Sequence, residues 1–517
     1  MLKKQNIETH NSVQFIGRKE YLDDLESLWR KATSSLIACR GRRRIGKSTL
    51  IREFARRTSS AYIEIEGLPP DKEMTNQRQL DHFAEALAAQ SDAPNEPLSN
   101  WIEAFHRLDG QIGDDRRTVV LLDEISWMGG YDINYPGALR TAWETFFHRH
   151  PRLVVAICGS VSAWIKENIL DNTGFTGRFS RDYVLPELDL AECAEFWRSA
   201  KDRVSVREIF DVLSVTGGIP RYLEEIDPGL SAEENIRRMC FSTSGDLYKD
   251  FDAIFSPIFG EDAVLKRHVL EALADGPMSG AEISDRLELK RNGRVSSVLR
   301  ELKEGGFVSD DPGLNPETGK DMRTGKYRLK DNYTRFYLKY VQPRKTQIES
   351  GSFRFASLGT LPEWNTVMGL QFENLIVNNY RELIPYLHIG NSIVESAAPY
   401  RNMRALRGSK RKGVQIDLLI QTPCTAYVVE VKRMNHIGSE IEEVMREKIK
   451  RLPFRKLVKR GVPEYAPLYL RLVRQHVLQI EPDIVVAQSV LRHAAFATSR
   501  GILPEVVINE TTLLQIP

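Results

Sequence analysis

Apolar residues run almost unbroken through three short stretches: Ser35-Leu36-Ile37-Ala38-Cys39, Thr118-Val119-Val120-Leu121-Leu122 and Leu153-Val154-Val155-Ala156-Ile157-Cys158. Runs of this length without alternation are what strands buried on both faces of a parallel sheet require. Between and around them the spacing changes to that of helices. Tyr21, Leu22, Leu25 and Leu28 keep a helical period after the opening Phe15-Ile16-Gly17-Arg18-Lys19-Glu20, and Thr49 to Ala55 reads as a helix following the first strand. The alternation of buried strands with helices predicts an α/β core. Beyond it, Gly217-Gly218 and Pro220 must end one helix and start another.

From about residue 262 the pattern becomes one of short amphipathic helices. Val264, Leu265, Val269, Leu270 and Leu273 mark the first, ended by Asp275-Gly276-Pro277; Ala281, Ile283 and Leu287 mark the second. Asn292 caps a third, with Val295, Val298, Leu299 and Leu302 inward and Gly305-Gly306 at its end. Phe307-Val308, a polar loop and Lys326 to Leu329 then read as a hairpin. Three helices and a hairpin make a winged helix-turn-helix. Arg291, Arg294 and Arg300 fall around the third helix as candidate DNA contacts. The same module used only for protein contacts, or as a helical spacer, stays open.

In the last third, Val414 to Ile420 and Ala426 to Lys432 read as neighbouring strands. They set Asp417 beside Glu430 and Lys432, the last two sharing a strand face. A helix starting near Gly369 brings Glu373 to the same point. Asp417 and Glu430 are candidate ligands for one or two divalent ions, with Glu373 completing the set and Lys432 adding positive charge or positioning water. The alternative is two amphipathic strands carrying chance charges. A basic stretch, Arg401, Arg404, Arg407, Lys410, Arg411 and Lys412, together with Lys448, Lys450, Arg451, Arg455 and Lys456, lines a nucleic-acid groove or forms a solvated face.

The turn after the first strand carries the most specific chemistry. Gly41-Arg42-Arg43-Arg44-Ile45-Gly46-Lys47-Ser48 has the spacing of a phosphate-binding loop, and Thr49 continues into the helix. Glycines let the backbone curl so that successive N–H groups face a phosphate, and the helix N-terminus adds its positive end. Lys47 is expected at the β- and γ-phosphates and Ser48 at Mg²⁺. Asp123 and Glu124 close the second apolar strand at the end where open α/β sheets bind ligands. Asp123 is placed to hold Mg²⁺ through water, and Glu124 to orient and deprotonate an attacking water. Ser160 is a γ-phosphate sensor or a helix N-cap. Arg178, in Thr176-Gly177-Arg178, is an arginine finger or an exposed structural arginine.

Composition narrows this little. A chain of 517 residues is too long for one core and predicts about three domains. The net charge of +2 does not itself point to a partner. Five scattered cysteines (Cys39, Cys158, Cys193, Cys240, Cys424) show no metal spacing and suit reduced thiols in a cytoplasm. The N-terminal residues do not form a secretory apolar region, and no run is long enough to span a bilayer.

The phosphate loop, the Phe15-Ile16-Gly17-Arg18 opening, Leu122-Asp123-Glu124, Cys158-Gly159-Ser160, Thr176-Gly177-Arg178 and Gly217 to Leu223 together resemble the archaeal-type ATPases of the STAND branch of the AAA+ superfamily. The resemblance implies that the opening segment walls the adenine, that a helical lid follows the α/β core, and that ATP acts largely as a conformational switch. Leu329 to Tyr337 resembles the segment that closes the winged helix in that family. The Glu373, Asp417, Glu430 and Lys432 set resembles the PD-(D/E)xK restriction-endonuclease-like fold that the family often carries, although Ile416 stands where a proline is usual. The organisation expected is then a P-loop ATPase core over 1–189, a helical lid over 190–261, a winged helix over 262–342 and a nuclease-like domain over 343–517. ATP and Mg²⁺ are the expected cofactors, with Mn²⁺ an alternative at the nuclease-like site. DNA is the expected partner, self-association is left open, and no membrane contact is expected.

Overall fold

Five parallel strands make the first sheet: β1 (Ser35–Gly41), β2 (Ala61–Glu66), β3 (Thr118–Asp123), β4 (Leu153–Ser160) and β5 (Phe179–Leu185), in the order β2-β3-β4-β1-β5. The three uninterrupted apolar runs are its three inner strands, and β3 is buried along its whole length. The computed structural model describes residues 15–31, 33–160, 163–200, 203–258, 262–289, 293–314, 321–385, 387, 389, 392–402, 414–422, 426–433, 468–475, 485–486, 489–491 and 506–507.

Successive side chains of a strand face opposite sides, so each inner strand feeds two layers. Leu36, Ala38, Ile63, Ile65, Val120, Leu122, Val155 and Ile157 join one core with the helices α3 (Asn76–Gln90), α4 (Trp101–Asp109) and α6 (Tyr135–Thr145). Its centre is aromatic. Trp101 meets Tyr135 edge-on with ring centroids 4.8 Å apart, and Phe83 and Phe105 surround the pair; each such contact adds about 1 kcal/mol beyond area burial. The helices α1 (Lys19–Leu28) and α2 (Lys47–Arg57) bury Leu22, Leu25, Leu28, Leu50, Ile51 and Phe54. Between α4 and α6 lies the short helix α5 (Ile125–Gly129). This is an α/β core built on a parallel sheet, as the apolar runs predict.

The chain divides into two units between Leu188 and Asp189, with the short stretches Ser256–Gly260 and Glu304–Gly306 counting with the first. The second unit begins with helices at Leu190–Ala194, Val206–Thr216, Pro220–Leu223, Ala232–Cys240 and Asp246–Ile258. Gly217, at φ 61°, closes the second of these and Pro220 opens the third, as that glycine pair and proline require. Three helices follow at Ala263–Ala274, Gly280–Arg286 and Gly293–Glu304. Ser279 caps the middle one in a reciprocal pair with Glu282. The strands β6 (Val308–Leu314) and β7 (Asp321–Leu329) pair antiparallel. Asn292, expected as a cap, lies outside the described residues.

A second sheet is mixed. It contains β8 (Ser396–Asn402), β9 (Val414–Gln421), β10 (Ala426–Arg433), β11 (Leu468–Gln475) and, after the two-residue β12 (Val485–Val486), β13 (Ser489–Leu491), in the order β13-β11-β10-β9-β8. β9 and β10 are antiparallel neighbours and β10 pairs parallel with β11. The helix Trp364–Asn378 begins five residues earlier than Gly369, where the sequence suggests a start. Its Gln371 and the Asn332 of a short preceding helix exchange side-chain and backbone hydrogen bonds at 2.7 and 3.1 Å. Buried amides paired in this way tie the two helices with no polar group left bare.

Candidate functional site

In the first unit the strand register brings the chemistry to one edge. Gly41 lies level with Ser160, and Glu66 with Asp123. The loop between β1 and α2 turns through Arg44 at φ 69° and Gly46 at φ 88°, the second a conformation that glycine adopts at little cost. No side chain caps α2, so its first N–H groups are left to an anion, which a helix of this length attracts by its dipole. Lys47 is 5 % exposed, and its Nζ donates to the carbonyls of Gly41 (3.4 Å) and Arg42 (3.3 Å). The ammonium therefore lies folded inside the loop. Ile45 is buried within it, while Thr49 is exposed on the first turn of α2.

The Ser48 hydroxyl donates to Asp123 Oδ2. These two oxygens converge as a hard divalent cation needs, so the donor set fits Mg²⁺. Glu124 follows Asp123 in the left-handed region at φ 45°, a strained placement for a residue with a Cβ. Its carboxylate is 8 % exposed, its Oε2 has no hydrogen-bond partner, and the Ser160 backbone N–H donates to the group. Burial pushes the Glu124 carboxyl up from its ordinary value; Lys47 and Arg43 pull it down and Asp123 pushes it up. An acid with one oxygen unpaired in this setting can accept a proton.

Two residues that the apolar runs did not single out stand at the same edge. Glu66 ends β2 opposite Asp123, and burial, Asp123 and Glu124 raise its carboxyl. The signal was the alternation Ile63-Glu64-Ile65-Glu66, a half-buried strand ending in an acid. Arg43 stacks over the Trp127 ring at 5.5 Å and acts to lower both acids, after Lys47 in the case of Glu124. Gly67 is needed here for space: a Cβ would stand 2.8 Å from the Glu124 carbonyl oxygen.

Arg178 is placed differently. It precedes β5, whose Phe179 lies level with Leu36, so it sits at the opposite edge of the sheet, roughly 20 Å from Gly41 along the strand direction. Its guanidinium is bound to Glu144, with Nε at 2.8 Å. The chain does not bring it to its own phosphate loop.

In the second unit, Asp417 is 4 % and Glu430 1 % exposed, on the neighbouring strands β9 and β10. The Val431 N–H donates to Asp417 Oδ2 at 2.8 Å, which fixes that carboxylate across the strand pair. Glu373 is half-buried on the helix Trp364–Asn378. Two carboxylates of this kind suit Mg²⁺ or Mn²⁺ completed by water, although among the described residues no group of three His, Cys, Asp or Glu stands ready to hold a metal. The Lys432 side chain is outside the described residues, as are Arg291 and, apart from Arg401, the basic stretches at 404–412 and 448–456. Arg294 is exposed and donates to Asp262 Oδ1 at 2.6 and 3.0 Å; Arg300 donates to Ser297 Oγ at 3.3 Å.

Among the described residues no helix is long and apolar enough to cross a membrane. Residues 15–226 match a family described as an ATPase domain predominantly from Archaea. An uncharacterized protein of Methanocaldococcus jannaschii is 23% identical over 459 residues, 88% of this chain and 94% of its own length. An uncharacterized ATP-binding protein of the same archaeon is 48% identical over 42 residues, 8% of this chain and 71% of its own length. Among solved structures, a Walker-type ATPase of Pyrococcus abyssi is 17% identical with a TM-score of 0.45, covering 63% of this chain and 96% of that one.

Proposed function

We propose, from the match of residues 15–226 to the predominantly archaeal ATPase domain family, that the chain is an ATP-driven switch controlling a metal-dependent, DNA-cleaving C-terminal domain. In the ATPase core Lys47 neutralises the β- and γ-phosphates, and the free N–H groups at the start of α2 bind their oxygens. Ser48 and Asp123 would hold Mg²⁺, which offsets the charge developing on the phosphates. Glu124 orients a water and takes its proton. Arg178, remote from its own loop, would serve the phosphate of a neighbouring copy.

In this reading the helices from Leu190 to Ile258 are the lid. The helices Ala263–Ala274, Gly280–Arg286 and Gly293–Glu304 with the β6–β7 hairpin are a winged helix that meets DNA through Arg294 and Arg300. The sheet containing β8 to β11 is the nuclease-like fold. The observation that carries the cleavage reading is the burial of Asp417 and Glu430 on adjacent strands. Two acids set side by side on adjacent strands can share one divalent ion, which also activates water. Asp417 and Glu430 would hold that ion, and Lys432 would steady the nucleophile or the developing charge.

A second reading, an ATP-switched DNA-binding regulator with a non-catalytic C-terminal fold, draws on the arginines near these acids. Arg401 feels both Glu373 and Asp417, and a guanidinium can compensate a carboxylate without a metal. Incubating the purified chain with plasmid and linear DNA in Mg²⁺ or Mn²⁺ separates the two. Cleavage lost in Asp417→Ala supports the nuclease; binding with no cleavage of single-stranded, duplex or branched DNA in either metal supports the regulator.

A further inference from the structure

Three arginines lie near the carboxylates of the second sheet, and two are committed to the fold. Arg328 donates from Nε to Asp311 at 2.8 Å and from Nη1 to Asn374 and Asn378. Arg335, fully enclosed, donates to Gln371 Oε1 at 3.2 Å and to the Leu329 carbonyl at 2.8 Å. Arg401 is different. Its Nε is buried and has no hydrogen-bond partner. The register of β8 on β9 sets Arg401 opposite Gln415, two residues before Asp417, so Arg401 and Asp417 share one face of the sheet. Burial pulls the Arg401 guanidinium below its usual value; Glu373, Asp311 and Asp417 act to hold its charge and Arg328 opposes it.

A buried guanidinium donor left without an acceptor, beside two acids, is a site waiting for an anion that brings its own oxygens. The planar fork of arginine matches two oxygens of one phosphate, and a phosphodiester lying against Asp417 would offer them. We propose that Arg401 is the phosphodiester-binding residue of the C-terminal site, gripping non-bridging oxygens of the group that lies beside Asp417 and Glu430. This rests on the reading of that site as one that acts on DNA, and it adds which side chain holds the phosphate.

The test is the binding of a fluorescein-labelled 20-nucleotide DNA strand to the full chain in EDTA, followed by anisotropy over a range of salt. Arg401→Ala should weaken binding about tenfold and lower the slope of log affinity against log salt by about one contact's share. Arg401→Lys, which keeps the charge and loses the fork, should fall between Ala and wild type, and it carries the test if Arg401→Ala fails to fold. Equal affinity and slope for wild type and the variants overturns the proposal, and so does wild type that binds no strand at any salt. Cleavage in Mn²⁺ is scored separately. Wild type that binds through Arg401 without cleaving leaves this proposal standing and sinks the nuclease. Wild type that cleaves with Arg401→Ala unimpaired in KM does the reverse.

Discussion

The Ser48 hydroxyl donates to Asp123 Oδ2, joining the first turn of α2 to the end of β3. Both oxygens are Mg²⁺ ligands in the proposed nucleotide complex, so the ion must take the place of this bond. Ser48→Ala should leave ATP binding in EDTA close to wild type and remove most of the gain that Mg²⁺ adds, about tenfold or more. Calorimetric titration with and without Mg²⁺ measures it; an unchanged Mg²⁺ gain would reject Ser48 as a ligand.

Glu124 is the proposed base, and its buried carboxyl is raised. A base works only when ionised, so a raised value moves the acid limb of the kcat profile to higher pH than an ordinary glutamate gives. Arg43 and Lys47 hold the group down. Arg43→Ala should therefore shift that limb further up while ATP still binds. Glu124→Gln should bind ATP and lose roughly 10²- to 10⁴-fold in kcat. Turnover by Glu124→Gln equal to wild type would remove the base assignment.

Glu382 accepts the Leu190 N–H, at the start of the helix Leu190–Ala194, at 2.9 Å, while its Oε2 is buried without a partner. Burial, with Asp189 and Glu192 adding to it, raises this carboxyl from 4.5 to about 8. The folded protein thus favours the protonated acid. That stability is fully present below the unfolded value and is lost as pH rises from about 4.5 through about 8, by on the order of 2 kcal/mol or more. Glu382→Gln, which cannot ionise, should flatten the fall in melting temperature between pH 6 and pH 9. Parallel curves for wild type and variant would contradict the buried-acid account.

On the proposed winged helix, Arg294 is held by Asp262 in an exposed pair, worth about 1 kcal/mol or less. A DNA phosphate can replace that partner. Substituting Arg291, Arg294 and Arg300 together by alanine should weaken duplex binding and lower the salt slope by about two to three. An isotherm unchanged across salt would assign the module to protein contacts.

How much of this was legible in the sequence depends on what kind of fact each residue carries. Leu121, Val155 and Ile37 announce themselves because a strand buried on both faces needs an unbroken apolar run, and all three lie in the inner strands. Lys47 and Ser48 are legible because the loop geometry dictates their spacing. The order β2-β3-β4-β1-β5 was not legible, since crossovers and not local patterns decide which strands become neighbours. Glu66 went unnoticed for that reason: only the pairing of β2 with β3 sets it opposite Asp123. Arg178 sits in a motif-like Thr-Gly-Arg, yet strand direction puts it at the far edge. Arg401 read as one charge among many in a basic run, and its unpaired Nε became visible only with the sheet.

The central claim is that nucleotide state in the first unit controls cleavage in the second. It is tested most directly by following DNA cleavage in Mn²⁺, with and without ATP, for wild type, Lys47→Ala and Asp417→Asn. Lys47→Ala removes the cation at the phosphates and leaves Asp417 and Glu430 untouched. The account expects wild-type cleavage to change several-fold with ATP, Lys47→Ala to cleave at one rate whether or not ATP is present, and Asp417→Asn to be inactive throughout. A wild type whose cleavage ignores ATP, matching Lys47→Ala under both conditions, would contradict it.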